Sequence, residues 1–436
     1  MSQISREKIE TLKNILKELH KGSSIEELKR KFKDALEGIS PSDIPLAEQE
    51  LLEEGIPISE ILRLCDLHIE LLRDLLCPAE LKSIPKGHPL ELLSRENERI
   101  YKLAEALNIY AESLSKAEPN EAISYLRAII DVVSELRRFR LHYRKIQMLI
   151  FPYLERRGIT AVPRVLWGKE DQAVLKIREL AILIERGLSD PSSYAKSVAE
   201  KARELAKDLT DLIFREERIL FPSISVLFSE GEWAAIHEEA KRIGYLIPIE
   251  VEWTPKAKPI LPHEVSGVIT PEQIEKLPDE FRFAAIATLA PDTYQARSEG
   301  DLEFETGFLS RDEVEAIFRH LPIELTYADT NDRVVFFSES IFRKGFARTK
   351  TLIGRRVEYC HPPRLESLIR NIVNELKGGK IDHREYWTRL GDRIIRVIVT
   401  AVRDKDGNYL GTLEMVEDLT EIVNNPEEVK KKIIIL

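Results

Sequence analysis

The chain is 436 residues long, 43% hydrophobic and 32% charged, with a formal net charge of −10. That length sets an expectation of two to four domains. The acidic balance excludes the basic face of a general nucleic-acid binder, and no apolar run reaches a membrane span. Residues 1–8 are polar and lack the apolar core of a secretory signal, and three cysteines make no disulfide framework, so a reducing cytoplasm is the expected compartment. Abundant Glu, Lys and Arg with three Met is a thermophile's composition, which bears on stability.

Residues 1–80 read as a small all-α domain. Ile9, Leu12, Ile15, Leu16 and Leu19 recur at helical spacing, and Gly22 suits a left-handed cap. Ser23 and Ser24 open a second helix, and 40–45 is a turn. A helix from Ser59 carries Cys65, Asp66 and His68. Cys65 and His68 share one helical face and offer two metal ligands, with His20 the sole local addition. The competing reading is a buried thiol and a hydrogen-bonded imidazole in a packing seam.

Residues 81–245 read as four long helices joined by short connections, hence as an antiparallel bundle. Gly87-His88-Pro89 places His88 at the first helix's N-terminus. The second helix is predicted over 121–155, the third over 171–184 and the fourth after Pro191, capped by Ser192-Ser193. The second and fourth echo each other, closing in Leu149-Ile150-Phe151-Pro152 and Ile219-Leu220-Phe221-Pro222. Aligned on Phe-Pro, Gln147 matches Glu217, which predicts similar depth for those two side chains. Inward His and carboxylate groups in a four-helix bundle are the architecture of non-haem iron sites.

Residues 246–308 carry seven prolines and read as a stiff, ordered connector with short helices over 272–276 and 280–289. The pattern then changes. Over 309–420 a helix (313–320), two strands (325–328, 334–338), a longer helix (364–376) and three strands (383–389, 393–402, 410–416) are predicted. Asp329-Thr330-Asn331-Asp332 and Lys405-Asp406-Gly407-Asn408 are the turns. Cys360-His361-Pro362-Pro363 fixes the backbone around two candidate ligating side chains; the other reading has His361 capping the next helix and Cys360 packed beneath the sheet. A charged tail, 421–436, ends the chain.

These motifs resemble a family of cytoplasmic proteins numbered 438 among domains of unknown function, with a hemerythrin-like (HHE) domain and a C-terminal PAS domain. The resemblance rests on Leu19-His20-Lys21-Gly22, Leu64-Cys65-Asp66-Leu67-His68, Gly87-His88-Pro89, Glu96-Asn97, His142-Tyr143, Phe151-Pro152-Tyr153-Leu154-Glu155, Trp167-Gly168 and Glu216-Glu217. It rests too on Thr326-Tyr327-Ala328-Asp329, Ile353-Gly354-Arg355, Cys360-His361-Pro362-Pro363 and Asp418-Leu419-Thr420. It implies a multidomain chain: an all-α segment, a hemerythrin-like four-helix bundle, then a PAS sheet with helices. The implied metal positions are His88, His142, Gln147, Glu170 and Glu217, with Gln147 where relatives have Glu and Glu170 where relatives have His. A neutral amide cannot offset iron's charge, so a degenerate site is expected, with His142 hydrogen-bonded to Glu217.

The resemblance implies a pocket in the PAS domain for haem or a small molecule, with Cys360 and His361 as cofactor-binding candidates. There is no Walker loop, no Ser-His-Asp arrangement, no zinc-finger spacing and no kinase, cyclase or DNA-binding output. The expected function is a cytoplasmic sensor or signalling adaptor without catalytic output, acting on an unidentified signalling protein and forming a homodimer, with no nucleic-acid or membrane partner. Two alternatives stand: a non-haem iron redox or iron-handling protein, and an interaction scaffold that has lost its ligands.

Overall fold

In the computed structural model of the chain, the described residues are 84–276, 290–341, 346 and 348–434, with 10–11, 13–15, 17–18, 25–31, 50–51 and 54–56 of the first segment. Cys65, Asp66, His68 and His20, and the helix expected over 280–289, lie outside them. Contacts divide the chain into two compact units, Met1–Gln295 and Ala296–Leu436.

In the first segment α1 (Ile25–Lys31) is described, and buried Lys13 bridges Glu10, Glu50 and Glu54. The rest of this unit is built on four rods. The first is α2 (Pro89–Lys116). The second runs through α3 (Pro119–Leu136), a 3-10 turn, α4 (Arg140–Lys145), a π turn (Ile146–Ile150) and α5 (Phe151–Arg156). The third is α6 (Ala161–Ser189). The fourth is α7 (Pro191–Arg215), a second π turn (Glu216–Leu220) and α8 (Phe221–Leu227). The first and third rods each pack along the second and fourth, giving a four-helix ring. Its centre is apolar, with Phe139, Phe151 and Phe221 wholly buried.

Two helix starts differ from expectation. The third rod begins at Ala161, ahead of Pro163 and Gly168, because proline is tolerated in a first turn whose N–H groups have no intrahelical partner. The fourth is capped by Asp190, whose carboxylate accepts from the Ser193 amide, with Pro191 at the first helical position. A further helix, α9 (Glu230–Ile243), opens with a Ser229–Glu232 capping box.

Residues 246–269, part of the proline-rich stretch after it, are laid along the bundle. Tyr153 Oη donates to the Ile260 carbonyl (2.7 Å), Arg156 Nε donates to the Val265 carbonyl (2.9 Å), and the Ile260 amide donates to the Gly231 carbonyl (3.0 Å). A short helix, α10 (Pro271–Lys276), follows. Gly87 turns the chain into α2 with φ +79°, and a Cβ there would strike the Val251 carbonyl oxygen. Gly87→Ala is therefore expected to cost more than about 1 kcal/mol, read as a lower urea midpoint of the helical signal. An unchanged midpoint would mean the strap is not seated there.

The second unit opens with a hairpin, β1 (Leu302–Phe304) and β2 (Gly307–Leu309), then α11 (Arg311–His320). Strands β3 (Glu324–Asp329), β4 (Val334–Phe337), β5 (His383–Leu390), β6 (Arg393–Arg403) and β7 (Tyr409–Asp418) form one antiparallel sheet in the order β4-β3-β7-β6-β5. Its register sets Tyr327 opposite Leu413 and Met415 opposite Ile398. Helix α12 (Pro363–Lys377) crosses β6 and β7, covering one face with Ile372, Val373 and Leu376 buried. Two short helices, α13 (Thr420–Asn424) and α14 (Pro426–Lys431), end the described chain. Among the described residues no single helix is long and apolar enough to cross a membrane.

Candidate functional site

The bundle interior holds a polar cluster around His142, and two prolines explain its shape. Pro152 and Pro222 have no N–H, and their rings crowd the carbonyls four residues back. The chain relieves both by adding a residue to the preceding turn: the Phe151 amide donates to the Ile146 carbonyl and the Phe221 amide to the Glu216 carbonyl, five residues back. The Phe-Pro echo in the sequence is thus a structural repeat. It also sets which residue points inward. Ile146 and Glu216 are 0% and 1% exposed, whereas Gln147 and Glu217 are half-buried. The positions predicted to match do match, one residue off the deepest point.

His142, on α4, is completely buried. Its Nδ1 lies 2.8 Å from Glu96 Oε2 and its Nε2 2.9 Å from Glu216 Oε2. The partner expected from the sequence was Glu217; the carboxylate in place is Glu216. Burial alone would lower the His142 pKa, but Glu216 and then Glu96 overcome it and push it up to about 9. The ring is an imidazolium that donates from both nitrogens. Glu96 sits on α2 among the inward Leu92, Leu93, Ile100 and Leu103. It also accepts from Lys145 Nζ (2.9 Å) and the Leu246 amide (2.8 Å), and despite burial these partners hold its carboxyl below its ordinary value. Lys145 Nζ donates to the Gly244 carbonyl as well (2.8 Å) and stands over the Tyr245 ring. Burial holds its pKa below the ordinary value in spite of Glu96.

The other predicted positions are spread out. Glu170 is wholly buried; its Oε2 accepts from Gln147 Nε2 (2.6 Å), and Oε1 has no partner among the described residues. Burial, then the charge of Glu216, pushes its pKa up to about 8, so it is protonated at neutral pH. Glu217 accepts from Ser94 Oγ (2.9 Å) and Asn97 Nδ2 (3.2 Å), and burial raises its pKa. His88 caps α2: its Nδ1 accepts from the Leu90 amide (3.2 Å), and the ring packs edge-on against Trp233 (4.8 Å) and Trp253 (4.6 Å). Burial, then His237, lowers its pKa to about 4, so it is neutral.

This donor set does not suit a metal ion. Both nitrogens of His142 are committed to carboxylates, and the Lys145 ammonium occupies Glu96. The position of the second rod equivalent to Glu216 is the hydrocarbon Ile146, and His88 is engaged elsewhere. Among the described residues no group of three or more His, Cys, Asp or Glu is arranged to hold a metal. The cations that Glu96 and Glu216 meet are the imidazolium and the ammonium. Glu96 and Glu216, paired with them, were legible as inward positions: Glu96 falls on the apolar stripe of its helix, and Glu216 follows Leu209 and Leu212 at helical spacing.

The second unit contains a cavity of about 530 Å³ between the sheet and α12. Its wall is largely aliphatic, including Val334, Leu365, Ile369, Ile372, Val397 and Val399. Both Cys360 and His361 line it. His361 Nδ1 is 3.0 Å from the Val357 carbonyl, which can only accept, so Nδ1 carries a proton and Nε2 is the acceptor of the neutral ring. The helix after it is capped at Pro362 without a side-chain bond, so His361 is not a cap. Cys360 Sγ contacts the Arg356 carbonyl (3.5 Å), and burial raises its pKa, leaving a protonated thiol. Arg348 closes the polar end. Its Nε donates to Thr326 Oγ1 (2.7 Å), one terminal nitrogen pairs with Glu324, and the other donates to Glu414 Oε1 (2.9 Å).

Comparison with known families gives three matches in chain order. Residues 12–77 match the family of unknown function DUF438, residues 88–224 the hemerythrin HHE cation binding domain, and residues 314–420 a PAS domain. Similar solved structures include the C-terminal domain of a Streptococcus mutans protein (30% identity, 28% of this chain and 96% of that one, TM-score 0.27). A sensory box sensor histidine kinase from Vibrio cholerae matches at 12% identity over 25% of this chain and 90% of that one, TM-score 0.19. No curated protein matches.

Proposed function

We propose that this chain, which carries a DUF438 segment, a hemerythrin-type HHE bundle and a PAS domain in that order, is a sensor whose PAS cavity takes a small organic ligand and reports its presence through protein contacts. The observation that carries this reading is the cavity of about 530 Å³ beneath α12, within the size range of small-molecule sites and walled by aliphatic side chains with a few polar groups at one end. The reporting partner is a protein: the net charge of −10 disfavours nucleic acid. A second copy of the chain is one such partner.

Haem suits this cavity less well than a metabolite. His361 Nε2 has the free lone pair an axial ligand needs. Haem's propionates, however, require unpaired cations, and the Arg348 guanidinium is held by Glu324 and Glu414. A thiol switch at Cys360 is disfavoured by its raised pKa.

The test is native mass spectrometry of freshly purified full-length protein, with absorption spectroscopy alongside. An organic mass released on denaturation, without a haem spectrum, is the expected result. Val399→Trp, which fills the cavity from β6, should abolish it while the fold remains. A protein that emerges empty and gains no thermal stability from any member of a small-molecule panel would leave only the scaffold reading.

A further inference from the structure

The polar end of the PAS cavity specifies the charge of what enters. We infer that the cavity selects an apolar amine, a ligand with a hydrocarbon body and a protonated nitrogen or N–H donor at its head, over an apolar acid. The inference rests on the ligand-binding reading above.

An arginine in a ligand cavity invites a carboxylate or phosphate, but Arg348 has nothing left to offer one. Its side chain is 5% exposed, and all three guanidinium nitrogens are engaged: Nε by Thr326, Nη1 by Glu324 and the Phe346 carbonyl (3.3 Å), Nη2 by Glu414. Among the described residues two carboxylates, Glu324 and Glu414, meet this one guanidinium, so its charge is already matched before a ligand arrives. Glu324 lies behind the wall and Glu414 is part of it. Glu414 Oε1 accepts from both Arg348 and Thr326 Oγ1 (3.3 Å); Oε2 has no partner among the described residues. His361, with its Nδ1 held by the Val357 carbonyl, also lines the wall. Tyr386 also lines the wall, and its buried hydroxyl has no hydrogen-bond partner among the described residues. Near Cys360, exposed Arg355 and buried Glu358 act with opposite sign, so they do not restore a positive end. A ligand acid would have to displace a buried ion pair to reach Arg348, whereas a ligand amine meets an acceptor already in place.

Three probes of one length separate the head group from the body: hexylamine, hexanol and hexanoate, titrated into the full chain at pH 7 by calorimetry. Hexylamine is expected to bind about tenfold or more tightly than hexanoate, as one charge-assisted hydrogen bond allows, with hexanol between them. Glu414→Gln should remove most of the amine's advantage and leave hexanol unchanged. The wild-type ranking decides the matter even where that variant folds poorly. Hexanoate binding as tightly as hexylamine would overturn the amine preference and leave the cavity reading intact. Failure of all three probes would overturn both.

Discussion

Exchanging Glu216 for Gln is expected to cost about 3–5 kcal/mol of folding stability, and exchanging Glu217 for Gln about 1 kcal/mol or less. The two residues are adjacent and chemically identical; the π turn makes them unequal. Glu216 is 1% exposed and is one of two carboxylates flanking the His142 imidazolium. The amide keeps the shape but removes a charge, leaving one carboxylate, Glu96, against two buried cations, His142 and Lys145. Glu217 is half-buried and accepts from two neutral donors, which an amide oxygen also satisfies. Urea unfolding followed through the helical signal measures both. Equal losses would place the wrong carboxylate inside. Elemental analysis after anaerobic purification adds an independent readout: iron below stoichiometry in wild type and both variants is expected, and stoichiometric iron lost on Glu216→Gln would refute the metal-free reading of the bundle.

How much of this was legible in the sequence depends on the residue. The C-terminal strands fall within a residue or two of expectation, because period-two alternation between turns such as 329–332 and 405–408 leaves little freedom. The hairpin of β1 and β2 was missed; three-residue strands, one exposed and one half-buried throughout, carry no such pattern. In the bundle, the Phe-Pro echo located both π turns without identifying them. The second helix was expected to run through Pro152, but only coordinates show that it absorbs the proline by widening one turn. That widened turn sets Ile146 and Glu216 deepest in the interior and leaves Gln147 and Glu217, the positions the resemblance implies, half-buried. His88 illustrates a different limit. Its motif marks a helix start, and the aromatic pair around it, Trp233 and Trp253, comes from segments more than a hundred residues away in sequence, which no local pattern predicts.

Raising the pH from 6.5 to 8 is expected to destabilise the bundle by about 1–3 kcal/mol per pH unit, falling to about half that slope in Glu170→Gln. The sign follows from two groups whose folded values are raised. Glu170 moves from an ordinary 4.5 to about 8, chiefly through burial and the charge of Glu216, and His142 from 6.5 to about 9 through Glu216 and Glu96. A raised value means that the folded chain holds a proton the unfolded chain has released. The stabilisation is complete below 4.5 and 6.5 respectively, and is lost as pH climbs through about 8 and about 9. Between 6.5 and 8 both protons are held only when folded, so stability falls with two protons' slope. His88 works in the opposite direction, since its folded value is lowered, but its window closes at 6.5. Lys145, also lowered, works against the trend, since it binds its proton less firmly in the folded chain than in the unfolded one. The amide of Glu170→Gln cannot ionise, so one of the two protons drops out, and the variant should be more stable than wild type at pH 8. A wild-type slope no steeper than that of Glu170→Gln would show that Glu170 is ionised in the folded chain, and the neutral carboxyl beside Glu216 would have to be abandoned; level or rising stability would refute the raised His142 as well.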